Sequence, residues 1–160
     1  MSKQEDTNYW LMKSEPDVFS FEDLMAKKTT FWDGVRNYMA RNYMMRDMKV
    51  GDLVLFYHSN AKPSGIAGIA TISSEARPDA SSFDKNSDYY DQKSTPDKPR
   101  WFAVDVSFYR TLPSFVSLDQ VKKNKKLKKM VLLNNSRLSV QPVTKNEFDL
   151  ILEMSQLGGT

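Results

Sequence analysis

Cysteine is absent from this chain of 160 residues, and histidine occurs once, as His58. Without cysteine the chain has neither a disulfide framework nor a cysteine-based metal site, and a single histidine excludes a site with two histidine ligands. Any Ser/His/Asp triad would have to be built on His58. At a predicted strand end beside Ser59, this side chain is more typical of a hydrogen-bonded structural residue than of a general base. We therefore expect no metal site and no catalytic residue.

Long apolar runs and nucleotide-binding loops are also missing. No stretch reaches the ~18 apolar residues of a membrane span, and the first ten residues lack the basic and apolar segments of a secretory signal. We therefore expect a cytoplasmic protein with no membrane partner, in keeping with the absence of cysteine. The sequence has no phosphate-binding G-x-x-x-x-G-K-[ST] loop, and the glycines of residues 65–68 do not form a dinucleotide fingerprint. We expect neither a cofactor nor an enzymatic activity.

The net charge of +3 is only mildly basic, so the distribution of the charges matters more. Residues 122–129 read KKNKKLKK, with six lysines in eight positions. Such a run forms either a solvated face or a phosphate-contacting surface. Three arginines of a predicted helix can likewise contact phosphate, or they can be solvated or pair with nearby acids such as Asp33 and Asp47. The candidate phosphate-contacting residues are Arg36, Arg41, Arg46, Lys122, Lys123, Lys125 and Lys126.

Hydrophobic patterning predicts one domain of short strands interleaved with short helices. We predict strands over 9–13, 53–57, 65–74, 101–110 and 137–143. We predict helices near 21–27, 36–46, 117–128 and 145–154, and three of these follow a capping box that starts at Ser20, Ser117 or Thr144. The strands are too close together for repeated parallel crossover units. A mixed, partly closed barrel with peripheral helices fits best, with the polar connection 75–100 as either a mobile flap or a loop pinned by Phe83, Tyr89 and Tyr90.

The stretch 31–60 combines an aromatic residue, an arginine-rich helix and a polar strand end, which together can wall a pocket. Trp32 adjoins the turn pair Asp33-Gly34, so its ring need not belong to the core. Trp10 and Trp101, by contrast, lie inside predicted strands. Aromatic walls with hydroxyl and amide groups suit a nucleobase, which stacks on a ring and is read along its polar edge. The residues expected to form this pocket are Ser14, Trp32, Asn37, Tyr57, Ser59 and Ser139.

Several segments carry a resemblance to a known family. They read YWLMKSEPDVFSFEDL at 9–24, WDGVRNYMARNYMMRDMKVGDLVLFYHSN at 32–60, GIAGIA at 65–70, Arg100-Trp101, and SRLSVQPV at 136–143. On these motifs the chain resembles the EVE-domain family over most of residues 9–154. The resemblance implies an α+β, PUA-like pseudo-barrel of mixed strands with peripheral short helices, preceded by a loose tail over 1–8 and followed by another over 155–160.

The resemblance also implies a function and a set of site residues. Members of the family are expected to be non-enzymatic readers of a modified base in DNA. RNA binding remains open, because the related YTH and PUA domains bind RNA, and a base-processing enzyme is the third alternative. Matched motif by motif, the base-binding residues are Ser14, Trp32, Asn37, Tyr57, Ser59, Leu138 and Ser139. Glu15 and Pro16 are expected to shape their loop and not to touch the ligand.

Overall fold

The computed structural model describes residues 7–157 and forms a curled sheet with helices on both faces. The strands are β1 (Tyr9–Ser14), β2 (Thr29–Phe31), β3 (Leu53–His58), β4 (Gly65–Ile72), β5 (Arg77–Pro78), β6 (Phe102–Ala103), β7 (Asp105–Ser117) and β8 (Val140–Val143). The α-helices are α1 (Phe21–Lys27), α2 (Tyr38–Asn42), α3 (Leu118–Lys123), α4 (Val131–Asn134) and α5 (Lys145–Leu157). A π-helical turn covers Tyr43–Asp47, and 3₁₀ turns cover Ala80–Phe83 and Lys125–Leu127. No helix within the described range is long and apolar enough to cross a bilayer.

Six strands form one mixed sheet in the order β2-β7-β4-β3-β1-β8. The central neighbours β1 and β3 are parallel, and every other neighbouring pair in this sheet is antiparallel. Irregular register between β3 and β4 and between β4 and β7 accompanies the curl of the sheet, because bulges increase strand twist and bending. Strands β5 and β6 pair separately. The predicted α+β half-barrel with short peripheral helices is confirmed.

Both faces of the sheet are buried because its central strands are apolar on both sides. Along β1, Trp10 and Met12 belong to one core cluster while Leu11 belongs to the other. The same alternation separates Phe56 from Leu55 in β3, as the two-residue period of a strand requires. Helices α1 and α2 cover the first cluster, whereas α3, α4 and α5 cover the second. The sheet therefore positions its strand ends between two packed layers.

The three predicted capping boxes are confirmed. The hydroxyl of Ser20 accepts from the N–H of Asp23 at 3.0 Å, and the Asp23 carboxylate accepts from the N–H of Ser20 at 2.8 Å. The box at Ser117 has the same reciprocal pair, and so does the box at Thr144. Each box satisfies two backbone donors that the first helical turn leaves unpaired. Such caps define helix starts locally, which is why sequence alone located them.

Two predicted helices are shorter or more interrupted than expected. The helix predicted over 36–46 begins at Tyr38, because the Asn37 side chain caps it by accepting from the N–H of Ala40 at 3.0 Å. It continues after Asn42 as a π-helical turn. The helix predicted over 117–128 breaks at Asn124, whose side chain caps the following 3₁₀ turn. Asparagine side chains compete with the helical ladder in this way, and the predictions ignored that competition.

Strand boundaries also needed correction. The strand predicted over 101–110 splits into β6 and the longer β7, and Trp101 precedes β6. Strand β2 was not predicted, and the strand predicted from residue 137 starts only at Val140. The C-terminal tail predicted from residue 155 overlaps the end of α5, where Ser155 is buried. Residues 1–6 and 158–160 of the predicted tails lie outside the described residues.

Candidate functional site

Two neighbouring clefts open where β1 and β3 end. The central cleft has a volume of about 620 Å³ and lies between the end of β1, the end of β3 and the segment 30–36. The lysine cleft has a volume of about 500 Å³ and lies between the same strand ends and the segment 118–133. The two clefts share a wall formed by Lys13, Ser59, Asn60 and Ser136.

The parallel pairing of β1 and β3 brings this wall together. Ser14 is in register with His58, so both strands leave the sheet at the same level. Beyond the sheet, the N–H of Ser59 donates to the carbonyl of Ser14 at 3.0 Å. On the other side, the N–H of Lys13 donates to the carbonyl of Ser139 at 2.9 Å. Backbone hydrogen bonds thus hold three distant sequence motifs around one opening.

Trp32 lies in the central cleft with only 8% of its surface exposed. Its ring packs edge-on against Phe56 with centroids 5.6 Å apart, and the backbone N–H of Trp32 donates to the carbonyl of Val104. The expectation that this ring need not be core is therefore wrong, because the ring belongs to the first core cluster. Trp32 combines the two roles that the sequence left as alternatives. It is a core side chain that also lines the cleft.

The indole N–H groups distinguish the three tryptophans. Trp10 Nε1 donates to Asp52 at 2.9 Å, and Trp101 Nε1 donates to Asp91 at 2.8 Å. Within residues 7–157, Trp32 Nε1 donates no hydrogen bond. Buried indole donors normally find an acceptor, so an unpaired donor in the wall of a cleft is available to a ligand.

Polar groups surround the tryptophan. Ser14, Ser59 and Ser139 all line the central cleft, as predicted. The hydroxyl of Ser14 donates to the carbonyl of Phe19 and so holds the loop after β1. Among the described residues, the hydroxyls of Ser59 and Ser139 make no protein hydrogen bond. These two hydroxyls are therefore free to donate to or accept from a bound molecule.

Asp33 adds a carboxylate to the cleft that the sequence had not assigned to the site. Burial and the nearby Asp79 raise the pKa of this carboxyl above its ordinary value, against the opposing influence of Arg36 and Lys27. No cation forms an ion pair with it in the described part of the chain. A carboxyl group in this setting can accept a hydrogen bond from an exocyclic amino group.

Arg36 lines the central cleft and also holds a loop. Its five N–H donors are all used by protein acceptors: Asp79 Oδ2, Ser81 Oγ, the Val35 carbonyl once and the Tyr89 carbonyl twice. The N–H groups of Arg36 are thus engaged within the protein, and its contact with phosphate stays a prediction. The connection 75–100 is pinned through this guanidinium and through buried Asp79. Of the predicted anchors Phe83, Tyr89 and Tyr90, Phe83 is half-buried, whereas both tyrosines are exposed.

The pKa of Asp79 is set by hydrogen bonds more than by burial. Burial alone would raise the pKa of this carboxyl, but hydrogen bonds from the Ser81 side chain, the Gly34 N–H and Arg36 hold the pKa below its ordinary value. The Gly34 bond is 2.9 Å long and joins the turn after Trp32 directly to the loop. The carboxylate therefore fixes the loop against the segment that lines the cleft.

Three other predicted base-binding residues lie away from the central cleft. Asn37 caps α2 and is outside its lining. Leu138 is 3% exposed and belongs to the first core cluster. Tyr57 is buried and lines the lysine cleft, where burial raises the pKa of its hydroxyl although a hydrogen bond with Ser64 opposes the shift. The structure thus brings together four of the seven predicted residues in the central cleft, namely Ser14, Trp32, Ser59 and Ser139.

The predicted phosphate-contacting residues are spread over several surfaces. Arg41 donates to the carbonyl of Arg100 at 2.8 Å and lies over the ring of Tyr38. Arg46 lines a third, open concavity at the β1–β8 edge of the sheet. Lys122 lines the lysine cleft, whereas Lys123, Lys125 and Lys126 are exposed and line neither the central nor the lysine cleft.

His58 has a structural partner, as the sequence suggested. Its Nε2 accepts from the N–H of Phe21, the first residue of α1, at 3.0 Å. Burial lowers the pKa of the imidazole, although the charge of Glu22 opposes the shift. Residues 7–157 contain no group of three or more His, Cys, Asp or Glu side chains placed to hold a metal ion.

Sequence comparison matches the chain to a known protein family and to relatives within it. The model of the EVE domain matches residues 8–154. Thymocyte nuclear protein 1 of Rattus norvegicus is 47% identical over 169 residues, which cover 94% of this chain and 74% of the relative. Residues 8–154 include every residue that lines the central and lysine clefts.

Solved structures of similar proteins superpose closely on this chain. A hypothetical protein from Leishmania major superposes with a TM-score of 0.92 at 48% identity, covering 98% of this chain and 99% of that one. The human THYN1 protein in complex with DNA containing 5-methylcytosine superposes with a TM-score of 0.90 at 46% identity, covering 94% of this chain and 98% of that one. The similarity therefore extends over nearly the whole fold.

Proposed function

The chain belongs to the EVE-domain family, and from that premise we propose that it is a non-enzymatic module that reads a modified base in DNA. The base is flipped out of the duplex and enters the central cleft. The nucleic-acid partner is proposed by analogy with the human THYN1 protein, whose structure was determined with DNA containing 5-methylcytosine.

The unpaired indole N–H of Trp32 is the observation that carries the proposal. Its ring offers an apolar surface in the cleft while Nε1 has no acceptor among the described residues. A base supplies both an aromatic face and ring nitrogen or carbonyl acceptors. Flipping a base costs a few kcal/mol, and contact with an aromatic ring repays roughly 1–3 kcal/mol. Hydrogen bonds in the cleft must supply the remainder.

Groups around Trp32 supply those hydrogen bonds. The hydroxyls of Ser59 and Ser139 are unpaired within the described chain and can donate to base carbonyls. The carboxyl of Asp33 can accept from an exocyclic amino group, which cytosine, adenine and guanine have and thymine lacks. We therefore expect the preferred base to carry such a group, and modified cytosine and adenine are the first candidates.

The same residues favour binding over catalysis. His58 is committed to the N–H of Phe21, and its lowered pKa keeps the imidazole neutral near pH 7. Asp33 has no base or nucleophile paired with it among the described contacts. A base-processing enzyme would need such a pair within hydrogen-bond reach of the reacting atoms.

Titration against matched oligonucleotides tests the proposal. Fluorescence anisotropy compares duplexes that differ only in carrying 5-methylcytosine, cytosine, N6-methyladenine or adenine at one central position, together with an RNA duplex carrying 5-methylcytosine. We expect one modified DNA duplex to bind at least tenfold more tightly than its unmodified counterpart. A rise in 2-aminopurine fluorescence next to the modified base would report flipping.

The alternatives predict different results in the same experiment. Equal affinity for modified and unmodified duplexes contradicts modified-base recognition, and tighter binding of the 5-methylcytosine RNA duplex than of every DNA duplex favours the RNA-binding alternative. Mass spectrometry of the recovered oligonucleotide tests for an enzyme, because any change in the mass of the modified strand reveals turnover.

A further inference from the structure

Lys13 occupies the wall between the central and lysine clefts. It is the residue before Ser14, and the sequence pattern gave it no role. Its Nζ donates to the carbonyl of Ser136 at 2.6 Å and lies 5.7 Å from the centroid of the Tyr57 ring. An ammonium group has three N–H donors. Among the described residues, Ser136 is the one hydrogen-bond acceptor of this group, so two donors are left for a bound molecule.

Within the described part of the chain, the charge of Lys13 has no counterion. The ion pairs formed by the described residues are Arg36 with Asp79, Arg77 with Asp105 and Lys145 with Asp149. Lys13 is half-buried, and this burial lowers the pKa of its ammonium group. A partly desolvated ammonium without a carboxylate is unfavourable in the free protein, and an incoming anion would relieve that cost.

All the charged side chains that line the lysine cleft are lysines. Lys122 and Lys128 line it together with Lys13, and no aspartate or glutamate is among its lining residues. Its polar groups also include Ser59, Asn60 and Ser64, while Leu132 and Leu133 contribute apolar surface. The central cleft differs, because Glu15 and Asp33 line it and the charge of Arg36 is paired with Asp79. The wall at Lys13 thus separates a cleft suited to a base from one suited to an anion.

We propose that the lysine cleft binds the phosphodiester and sugar adjacent to the flipped nucleotide, with Lys13, Lys122 and Lys128 contacting the phosphate. This inference rests on the proposed function, since it requires the base to occupy the neighbouring central cleft. Phosphate oxygens accept from the ammonium groups, and the leucines pack against the sugar. Lys123, Lys125 and Lys126 are exposed and do not line this cleft, so we assign them no contact with this phosphate.

Neutralising individual phosphates locates the contact. A methylphosphonate replaces one phosphate at a time, over three positions on each side of 5-methylcytosine, and each duplex is titrated against the native protein and Lys13→Met. We expect Lys13→Met to weaken binding of the fully charged duplex about ten- to a hundred-fold, the range for a hydrogen bond to a charged group. At the adjacent methylphosphonate the same substitution should change affinity less than about two-fold, because the contact is already lost.

Matched variants distinguish a specific contact of Lys13 from a general loss of positive charge or of stability. Lys145→Met removes one positive charge from the exposed pair with Asp149 and should leave affinity nearly unchanged. Lys13→Arg keeps the charge and should retain most of the binding. Because Lys13 is half-buried, thermal unfolding of each variant is recorded, and Lys128→Met, at an exposed position, supplies a second test if Lys13→Met is unstable.

The salt dependence separates this inference from the proposed function. A plot of log affinity against log salt concentration has a negative slope. For Lys13→Met on unmodified duplex DNA, this slope should become less negative by about 0.9, because one phosphate contact is lost. An unchanged slope, or equal losses for Lys13→Met with every methylphosphonate duplex, overturns the phosphate site even if modified DNA is still preferred. Conversely, a reduced slope without any preference for modified DNA supports phosphate binding at Lys13 and contradicts base reading.

Discussion

The guanidinium of Arg36 lies 3.1 Å from the carboxylate of Asp79, and this ion pair joins the segment carrying Trp32 to the long connection 75–100. Asp79 is nearly fully buried, and it also accepts from the N–H of Gly34 at 2.9 Å. The two contacts hold Tyr89, which belongs to that connection, in the lining of the central cleft. The shape of the cleft therefore depends on an interaction between residues 43 positions apart.

Replacement of Arg36 with methionine should destabilise the protein by about 3 kcal/mol, because it leaves a buried carboxylate without its cation. The free energy of unfolding from urea titration measures the loss. Lys145→Met is the control, since both members of its pair with Asp149 are exposed and such pairs contribute about 0–1 kcal/mol. Equal losses for the two variants would show that the Arg36–Asp79 pair behaves as a surface ion pair.

Gly34 and Gly51 form a matched test of the loop contact. Both have positive φ, +84° at Gly34 and +97° at Gly51, so alanine at either position should cost about 1–2 kcal/mol of backbone strain. A Cβ on Gly34 would also lie 2.7 Å from the Tyr89 ring, whereas a Cβ on Gly51 would meet nothing within 4 Å. We therefore expect Gly34→Ala, but not Gly51→Ala, to reduce oligonucleotide affinity. Similar affinity for both variants would contradict a role for Tyr89 in the cleft.

Trp32→Phe separates the two roles of this side chain better than Trp32→Ala. Because Trp32 is in the core, Trp32→Ala should cost about 3–5 kcal/mol of stability, so that its effect on binding is confounded. Phenylalanine keeps an aromatic contact with Phe56 but removes the indole N–H. We expect Trp32→Phe to remain folded and to bind modified DNA about five- to tenfold more weakly, as the loss of one hydrogen bond implies. Unchanged affinity per folded molecule would contradict the proposed use of Nε1.

His58 should make stability depend on pH. Its pKa in the folded protein is below the ordinary value of 6.5, so the unfolded chain binds more protons between these two values. The stability contributed by the neutral imidazole is therefore fully present above pH 6.5 and is lost as the pH falls through the folded pKa. Protonation also removes the acceptor for the N–H of Phe21.

Thermal unfolding of the native protein and His58→Gln between pH 5 and 8 checks this expectation. Glutamine can accept from the same N–H through its side-chain oxygen, but it does not titrate. The native protein should lose more stability than His58→Gln on acidification below pH 6.5. Parallel pH profiles for the two proteins would assign the dependence to other groups.

Local sequence determined much of the fold. The capping boxes at Ser20, Ser117 and Thr144 act within four residues, and the alternation of β1 and β3 is visible within six. Side-chain caps and two-residue periodicity depend on near neighbours, so a linear sequence contains them completely. The motifs at residues 9–24, 32–60 and 136–143 likewise indicated the family, and they predicted Ser14, Trp32, Ser59 and Ser139 as neighbours in one pocket, where all four line the central cleft.

Tertiary structure decided which of these side chains are buried, paired or open to a ligand. Arg36 has the spacing of a surface helix residue, yet its donors are taken by a loop more than 40 residues away. Lys13 has no distinguishing sequence pattern, yet the pairing of β1 with β3 places its ammonium in the wall of two clefts. Trp32 adjoins a turn, yet its ring is buried and packs against Phe56. Burial and charge pairing arise from contacts between distant segments, which local sequence does not specify.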